Sequence, residues 1–237
     1  MVLAHIIDLG LRTYQEVLQL QEQLFNKNIE AKLSNNATEN YLILCEHEPV
    51  FTLGKSGKRE NILVSDKEMN AEFYHVNRGG DVTFHGPGQL VVYPIFDLDL
   101  LHNGLAQYIF QLEETIIESL KEYDLKGERV EGAAGIWLSE NYKLQITNYK
   151  LNTSERKIAA IGVKASRNIT MHGLAVNINT DLSYFDKIIA CGLEGKETTS
   201  LQKELGKEIS IEGYKQIFLN AFEKVFRITN YKVESAN

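Results

Sequence analysis

Apolar residues recur along this chain in two rhythms. Residues 11–34 hold Leu11, Tyr14, Val17, Leu18, Leu20, Leu24 and Phe25, mostly three or four apart, which predicts an amphipathic helix. Residues 105–122 repeat that spacing with Leu105, Ile109, Leu112, Ile116, Ile117 and Leu120. Residues 212–226 do so with Tyr214, Ile217, Phe218, Ala221, Phe222 and Val225. Between these lie short apolar runs of strand length, Tyr41–Cys45, Gln89–Leu98, Ile158–Val163 and Leu174–Ile178. Phe73–Asn77 reads as a further strand, and Val130–Leu138 as a loop entering one. Val50–Gly54 leads into a polar stretch around Lys55–Glu60. Helices and paired strands alternate too irregularly for a βαβ repeat. The expected fold is α+β, a mixed and largely antiparallel sheet flanked by helices. With no internal repeat and no Pro/Ser linker, residues 1–237 are expected to form a single domain, the part from about residue 195 packing on it as a smaller layer.

Composition narrows the picture. A chain of 237 residues that is 43% hydrophobic and 24% charged is long enough for a substantial core without staples. The formal net charge of −7 argues against a general nucleic-acid or anionic-membrane binder. The N-terminal residues lack a signal peptide's basic start and long apolar segment, and no apolar run approaches the ~20 residues that span a bilayer. The cytoplasm is the expected compartment, with Cys45 and Cys191 as thiols. No Cys/His cluster has zinc-site spacing, so no metal is expected.

The densest chemistry is in Arg78-Gly79-Gly80-Asp81-Val82-Thr83-Phe84-His85-Gly86-Pro87-Gly88-Gln89. A plain hairpin turn does not need a guanidinium, a hydroxyl, an imidazole and an amide around its glycines. Glycine lets the backbone approach a ligand and offer it N–H groups, so this string is expected to be a substrate-cradling loop. Met171-His172-Gly173-Leu174-Ala175 is a second His-Gly pair leading into an apolar strand, and the two loops are expected to meet around one pocket. Cys45, inside an apolar run, reads as a buried structural thiol. Cys191 is delivered by Ile188-Ile189-Ala190 to a glycine-flanked turn, and by itself reads as a buried structural thiol or, alternatively, as a nucleophile. A cysteine needs a nearby cation to ionise at neutral pH. Arg156, Lys157, Lys164, Arg167 and His172 are the candidates, and spacing alone does not choose among them. Lys157 opens an apolar strand, where desolvation would lower its pKa and let it shuttle protons.

Arg78–Gln89, Lys157–Gly162 and His172–Ala175 continuing to Cys191 together resemble the lipoyl(octanoyl) transferase family. The likeness runs from about Tyr41 to Leu201 and includes His47–Gly54 and Gly135-Ile136-Trp137. It implies a fold shared with lipoate– and biotin–protein ligases. It implies an acyltransferase that moves an octanoyl group from acyl carrier protein to one lysine of a lipoyl domain, in 2-oxoacid dehydrogenase complexes and the glycine cleavage H protein. It further implies Cys191 as acyl-accepting nucleophile, Lys157 as its partner, and no cofactor, nucleic acid or membrane. Arg78, Gly79, Gly80, Asp81, Val82, Thr83, Phe84 and His85, then Ala160, Ile161 and Gly162, then Gly173, Leu174 and Ala175, match the family's substrate-binding segments. The polar insert Ser139–Glu155 departs from its pattern.

Such a reaction passes through tetrahedral oxyanions, and backbone at Gly79-Gly80 or Gly173-Leu174 is the expected donor set. Docking of acidic partners on an acidic chain calls for a local basic face, for which Arg78, Lys55, Lys58, Arg59, Arg156 and Lys164 are candidates. Three rivals remain: an ATP-dependent lipoate or biotin ligase, a non-catalytic lipoyl-domain-binding homologue, and a metallohydrolase built on His85 and His172.

Overall fold

The computed structural model describes residues 3–139, 155–189, 197–228 and 230–235, the last group by its backbone alone. The elements in order are β1 (Leu3–Arg12), α1 (Tyr14–Leu33), β2 (Asn40–His47), β3 (Val50–Leu53), α2 (Asp66–Met69), β4 (Glu72–His75), β5 (Val82–His85), β6 (Gln89–Ile95), α3 (Leu105–Lys121), β7 (Gly127–Val130), β8 (Ala133–Ser139), β9 (Glu155–Ser166), β10 (Ile169–Asn177), β11 (Glu197–Thr198), α4 (Leu201–Leu205), α5 (Ile211–Phe226) and β12 (Asn230–Ser235). One large sheet runs β12-β1-β2-β6-β10-β9-β8-β7, with β11 paired to β9. Its β12-β1, β1-β2 and β11-β9 pairs are parallel and the remaining pairs antiparallel. A separate small sheet runs β4-β3-β5. The mixed, mostly antiparallel sheet with flanking helices is the architecture the hydrophobic pattern predicts.

Both faces of the central strands are covered, which is why they read as unbroken apolar runs. On one face Leu42, Leu44, Leu90, Val92, Leu174 and Val176 pack with Leu112 and Ile116 of α3 and with Phe218 and Phe222 of α5. On the other, Ile43, Cys45, Val91 and Tyr93 pack with Val17 and Phe25 of α1. The C-terminal helix is therefore part of the principal core and not a separate layer. No described helix is long and apolar enough to cross a membrane.

Three expectations are corrected. The first helix starts at Tyr14, not Leu11, because Thr13 caps it: the Thr13 hydroxyl accepts from the Glu16 N–H at 3.4 Å and the Glu16 carboxylate accepts from the Thr13 N–H at 3.1 Å. Leu11 belongs to β1, a strand absent from the sequence-based prediction. Val130–Leu138 is a hairpin of β7 and β8 turning at Glu131-Gly132, with Gly132 at φ +75°. Finally, neither His-Gly pair sits in a plain loop: His85 ends β5, and His172 lies within β10.

Candidate active site

A cavity of about 280 Å³ opens between the α1 face of the large sheet and the glycine-rich segment that carries β5. Strand alternation decides what lines it. Val91 and Tyr93 of β6 and Gly173 and Ala175 of β10 point to this side, while Leu90, Val92 and Val176 point into the apolar core. Across the β9–β10 ladder Ala160 faces Ala175 and Gly162 faces Gly173, so two rows of minimal side chains form a groove over the backbone.

Arg78 and the glycines build the facing wall. Its guanidinium donates to the carbonyls of Thr52, Gly79 and Asp81, each at 2.9 Å, and to the Thr52 hydroxyl at 2.8 Å. A buried cation thus clamps its own loop from within. The backbone of the next strand exit is stitched to it, Gly54, Lys55 and Ser56 donating to the carbonyls of Asp81, Arg78 and Gly80. That approach is why residue 54 is glycine: a Cβ there would lie 2.4 Å from the Gly80 oxygen. Gly80 itself turns at φ +84°.

The structure brings most of the expected site residues together. Arg78, Gly80, Asp81, Val82, Thr83, His85, Ala160, Ile161, Gly162, Gly173, Leu174 and Ala175 all line the cavity. Two do not. Phe84 projects from the opposite face of β5 and stacks on Tyr184 with ring centroids 4.2 Å apart. Gly79 spends its N–H on the Val163 carbonyl at 2.9 Å, which removes it from the oxyanion donors expected.

Lys157 reaches the site through a β-bulge. Ile136 pairs with Ala159 and Trp137 with Lys157, so β9 carries one extra residue there, and Ile158 and Ala159 both enter the core. Lys157 and Ala160 thereby fall on one side and line a recess that adjoins the cavity through Thr83, Ala160 and Ala175. The Lys157 ammonium is buried, donates to the Ala134 carbonyl at 2.9 Å and lies 4.6 Å from the Trp137 ring centroid. Cys191 and the insert from 140 to 154 lie outside the described residues. Of the other cations considered, Arg156 is held by the Glu204 carboxylate at 2.9 and 3.1 Å, and Lys164 sits over the Phe25 ring. Arg78 and Arg156 are both buried, which removes these two from the candidates for a basic docking face.

The deep end holds residues that sequence reasoning missed. Tyr14 and Tyr93 line it, and His47 stands behind Tyr93. Because the Arg12 carbonyl can only accept, His47 donates to it from Nδ1 at 3.2 Å, and its Nε2 accepts the Tyr93 hydroxyl at 2.8 Å. Burial pushes the Tyr14 hydroxyl up to about 12, against the lowering pull of Arg78. The parity of Gln89, Val91 and Tyr93 along β6 was the available signal for Tyr93. Burial drives His47 down to about 4. Burial, then neighbouring His47, drives His85 down to about 3. Burial, then the Arg78 and Lys164 charges, drives His172 to about 3. All three are neutral imidazoles at pH 7. His172 sits at φ +61°, a strained conformation within β10; it and Gly173 both line the cavity, and its backbone N–H donates to Gln21 Oε1 at 3.1 Å. Among the described residues no three His, Cys, Asp or Glu side chains are grouped to hold a metal ion. Burial also raises the Cys45 thiol, as fits a structural cysteine.

Comparison with known proteins agrees with this geometry. Residues 13–223 match the model of the lipoyl protein ligase A/B catalytic domain. A protein of Christiangramia forsetii named octanoyltransferase is 46% identical over 230 residues, covering 93% of this chain and 94% of its own. An octanoyltransferase of Parabacteroides distasonis is 48% identical over 222 residues, covering 92% and 96%. In fold, the chain is similar to the bi-partite lipoate protein ligase of Thermoplasma acidophilum, with a TM-score of 0.68 at 13% identity over 100% of this chain and 88% of that one. The clamped glycine loop, the small-residue groove and these near-full-length matches agree, and the chain belongs to the lipoyl protein ligase A/B catalytic domain family.

Proposed function

We propose that this protein is an octanoyltransferase that carries its acyl group on Cys191. The thiolate attacks the thioester carbonyl of octanoyl-acyl carrier protein, a tetrahedral oxyanion forms, and the carrier's thiolate leaves. One thioester replaces another, so the step is close to thermoneutral and needs no ATP. The ε-amine of one lipoyl-domain lysine then attacks the acyl-Cys191 carbonyl. The C–S bond breaks, an amide forms, and the amine's proton passes to the departing sulfur or to Lys157, which is neutral once it has protonated the carrier's leaving thiolate. Splitting the transfer in two is covalent catalysis with ping-pong kinetics. The acceptors are the lipoyl domains of 2-oxoacid dehydrogenase complexes and the glycine cleavage H protein, and the setting is the cytoplasm.

The observation that carries this reading is the identity of 46% and 48%, over more than nine-tenths of the chain, with proteins named octanoyltransferase. The cavity supports it. Its groove of Ala160, Gly162, Gly173 and Ala175 leads from the Lys157 recess toward Tyr93, a distance along β6 of about 13 Å from Gln89, long enough for an eight-carbon chain. Each methylene buried there contributes about 0.8 kcal/mol. A largely apolar wall, with the Arg78 guanidinium already committed to its own loop, suits a hydrocarbon better than a nucleotide.

Incubation with octanoyl-acyl carrier protein is expected to add one octanoyl mass to Cys191, and Cys191→Ser is expected to abolish that thioester. Lys157→Met is expected to slow turnover by about 10²–10⁴, the usual worth of a positioned acid–base group. Transfer from free octanoate and ATP, with no dependence on Cys191, would establish a ligase instead.

A further inference from the structure

One imidazole in the cavity wall has its proton placed by hydrogen bonds that run in a single direction. Asn177 Nδ2 donates to the Thr199 carbonyl at 3.0 Å, and Gln89 Nε2 donates to the Phe84 carbonyl at 3.1 Å. Carbonyls have nothing to donate, so both carboxamides are fixed end for end. Asn177 Oδ1 accepts a second Gln89 N–H at 2.8 Å. Gln89 Oε1 is left facing His85 Nδ1 at 2.7 Å, and an amide oxygen only accepts. Nδ1 therefore carries the proton, and Nε2 is a bare lone pair. Among the described residues none hydrogen-bonds that Nε2. Burial keeps the ring neutral at pH 7.

The chain of bonds spans the two halves of the site. Thr199 donates its N–H to the Lys157 carbonyl at 2.9 Å, Gln89 and Asn177 line the Lys157 recess, and His85 lines the cavity. Gln89, Asn177 and Thr199 are all nearly solvent-free, which strengthens the hydrogen bonds among them.

A lone-pair acceptor selects a partner with a proton to share. The octanoyl chain and its thioester carbonyl have none, but the attacking primary amine does. We propose that His85 Nε2 accepts a hydrogen bond from the acceptor lysine's amine and aims that nitrogen's lone pair at the acyl carbon, with Gln89 and Asn177 as positioning residues that hold the imidazole in the required tautomer. The contact transfers no proton. This rests on the octanoyltransferase reading and assigns His85 to its second half-reaction.

The two half-reactions separate the possibilities. In full-length protein labelled with ¹⁵N-histidine, long-range ¹H–¹⁵N spectra are expected to show His85 protonated at Nδ1 and bare at Nε2. Gln89→Leu is expected to slow discharge of octanoyl to a lipoyl domain about ten-fold more than it slows loading, the loss of one neutral hydrogen bond. His85→Phe is expected to do the same, and the double variant to lose nothing further, because the two act through one contact. A His85 protonated at Nε2 in the unaltered protein, equal slowing of both half-reactions, or additive losses would overturn the assignment. Protein that takes up no octanoyl overturns the transferase reading and this proposal with it. Intact loading with the wrong tautomer overturns this proposal alone.

Discussion

The two faces of strands β6 and β10 are built from alternate residues of the same segments and have opposite characters. Leu90, Val92, Leu174 and Val176 enter a core of hydrocarbon and aromatic rings shared with α3 and α5. Gln89, Val91, Tyr93, Gly173, Ala175 and Asn177 face a cavity and its recess, where all but Val91 are either minimal or committed to hydrogen bonds. One face is packed throughout, whereas the other packs against α1 and is left open at the cavity, where Gly162 and Gly173 add no packing and His172 is held at positive φ. Space and fixed polarity for a substrate are obtained by leaving part of one covered face of the sheet unfilled.

Paired substitutions are the sharpest way to break that division. Phe222 is fully buried against Phe96 and Phe226 on the helix face. Phe222→Ala is expected to cost about 3–5 kcal/mol of stability, read as a lower urea midpoint, with turnover per folded molecule unchanged. Ala160→Leu, which fills the groove opposite Ala175, is expected to cost little stability and to shift acyl preference to chains shorter than eight carbons. Equal losses of stability from both, with chain preference unmoved, would erase the distinction between the faces.

Acid is the second lever, because three neutral imidazoles lie on the cavity side. His47, His85 and His172 are held near 4, 3 and 3, below the value of about 6.5 they regain on unfolding. Their folded values are depressed, so the unfolded chain binds more protons below pH 6.5, and stability falls as pH drops from there toward 4. At pH 5 a single such imidazole removes roughly 2 kcal/mol. Urea unfolding at pH 7 and pH 5 measures the loss. Native imidazole resonances that titrate near 6.5 would show that these rings are not the cause.

How much of this was legible beforehand follows the same division. The helices and the covered strands announced themselves, because α3 and α5 pack one stripe each and the spacing of Leu112, Ile116, Phe218 and Phe222 records it. The glycine string was legible as a site because Arg78, Thr83 and His85 are costly ornaments for a turn. What stayed hidden depends on register. The extra residue that brings Lys157 and Ala160 to one side leaves no mark in composition. Phe84 shares its string with Thr83 and His85, yet strand alternation sends it to the other side, where Tyr184 covers it. Thr13-x-x-Glu16 was a readable cap, and it separates Leu11 from a helical rhythm that Leu11 happens to extend.

The smallest expected effect concerns the rim. With Arg78 and Arg156 buried, the exposed cations beside the mouth are Lys55, Lys58 and Arg59, on the segment whose Ser56 lines the cavity. The chain as a whole carries −7, so this local positive stretch stands against the general field. A rim charge acts mainly on encounter and is screened over about 8–10 Å at physiological salt. Lys55→Glu with Lys58→Glu is expected to raise KM for an acidic carrier a few-fold at low salt and to leave kcat unchanged, the difference fading as salt is added. An unaltered KM at low salt would move docking to another surface. A fallen kcat would mean that this segment shapes the mouth, through the bonds that Lys55 and Ser56 make to the Arg78 and Gly80 carbonyls, more than it attracts a partner.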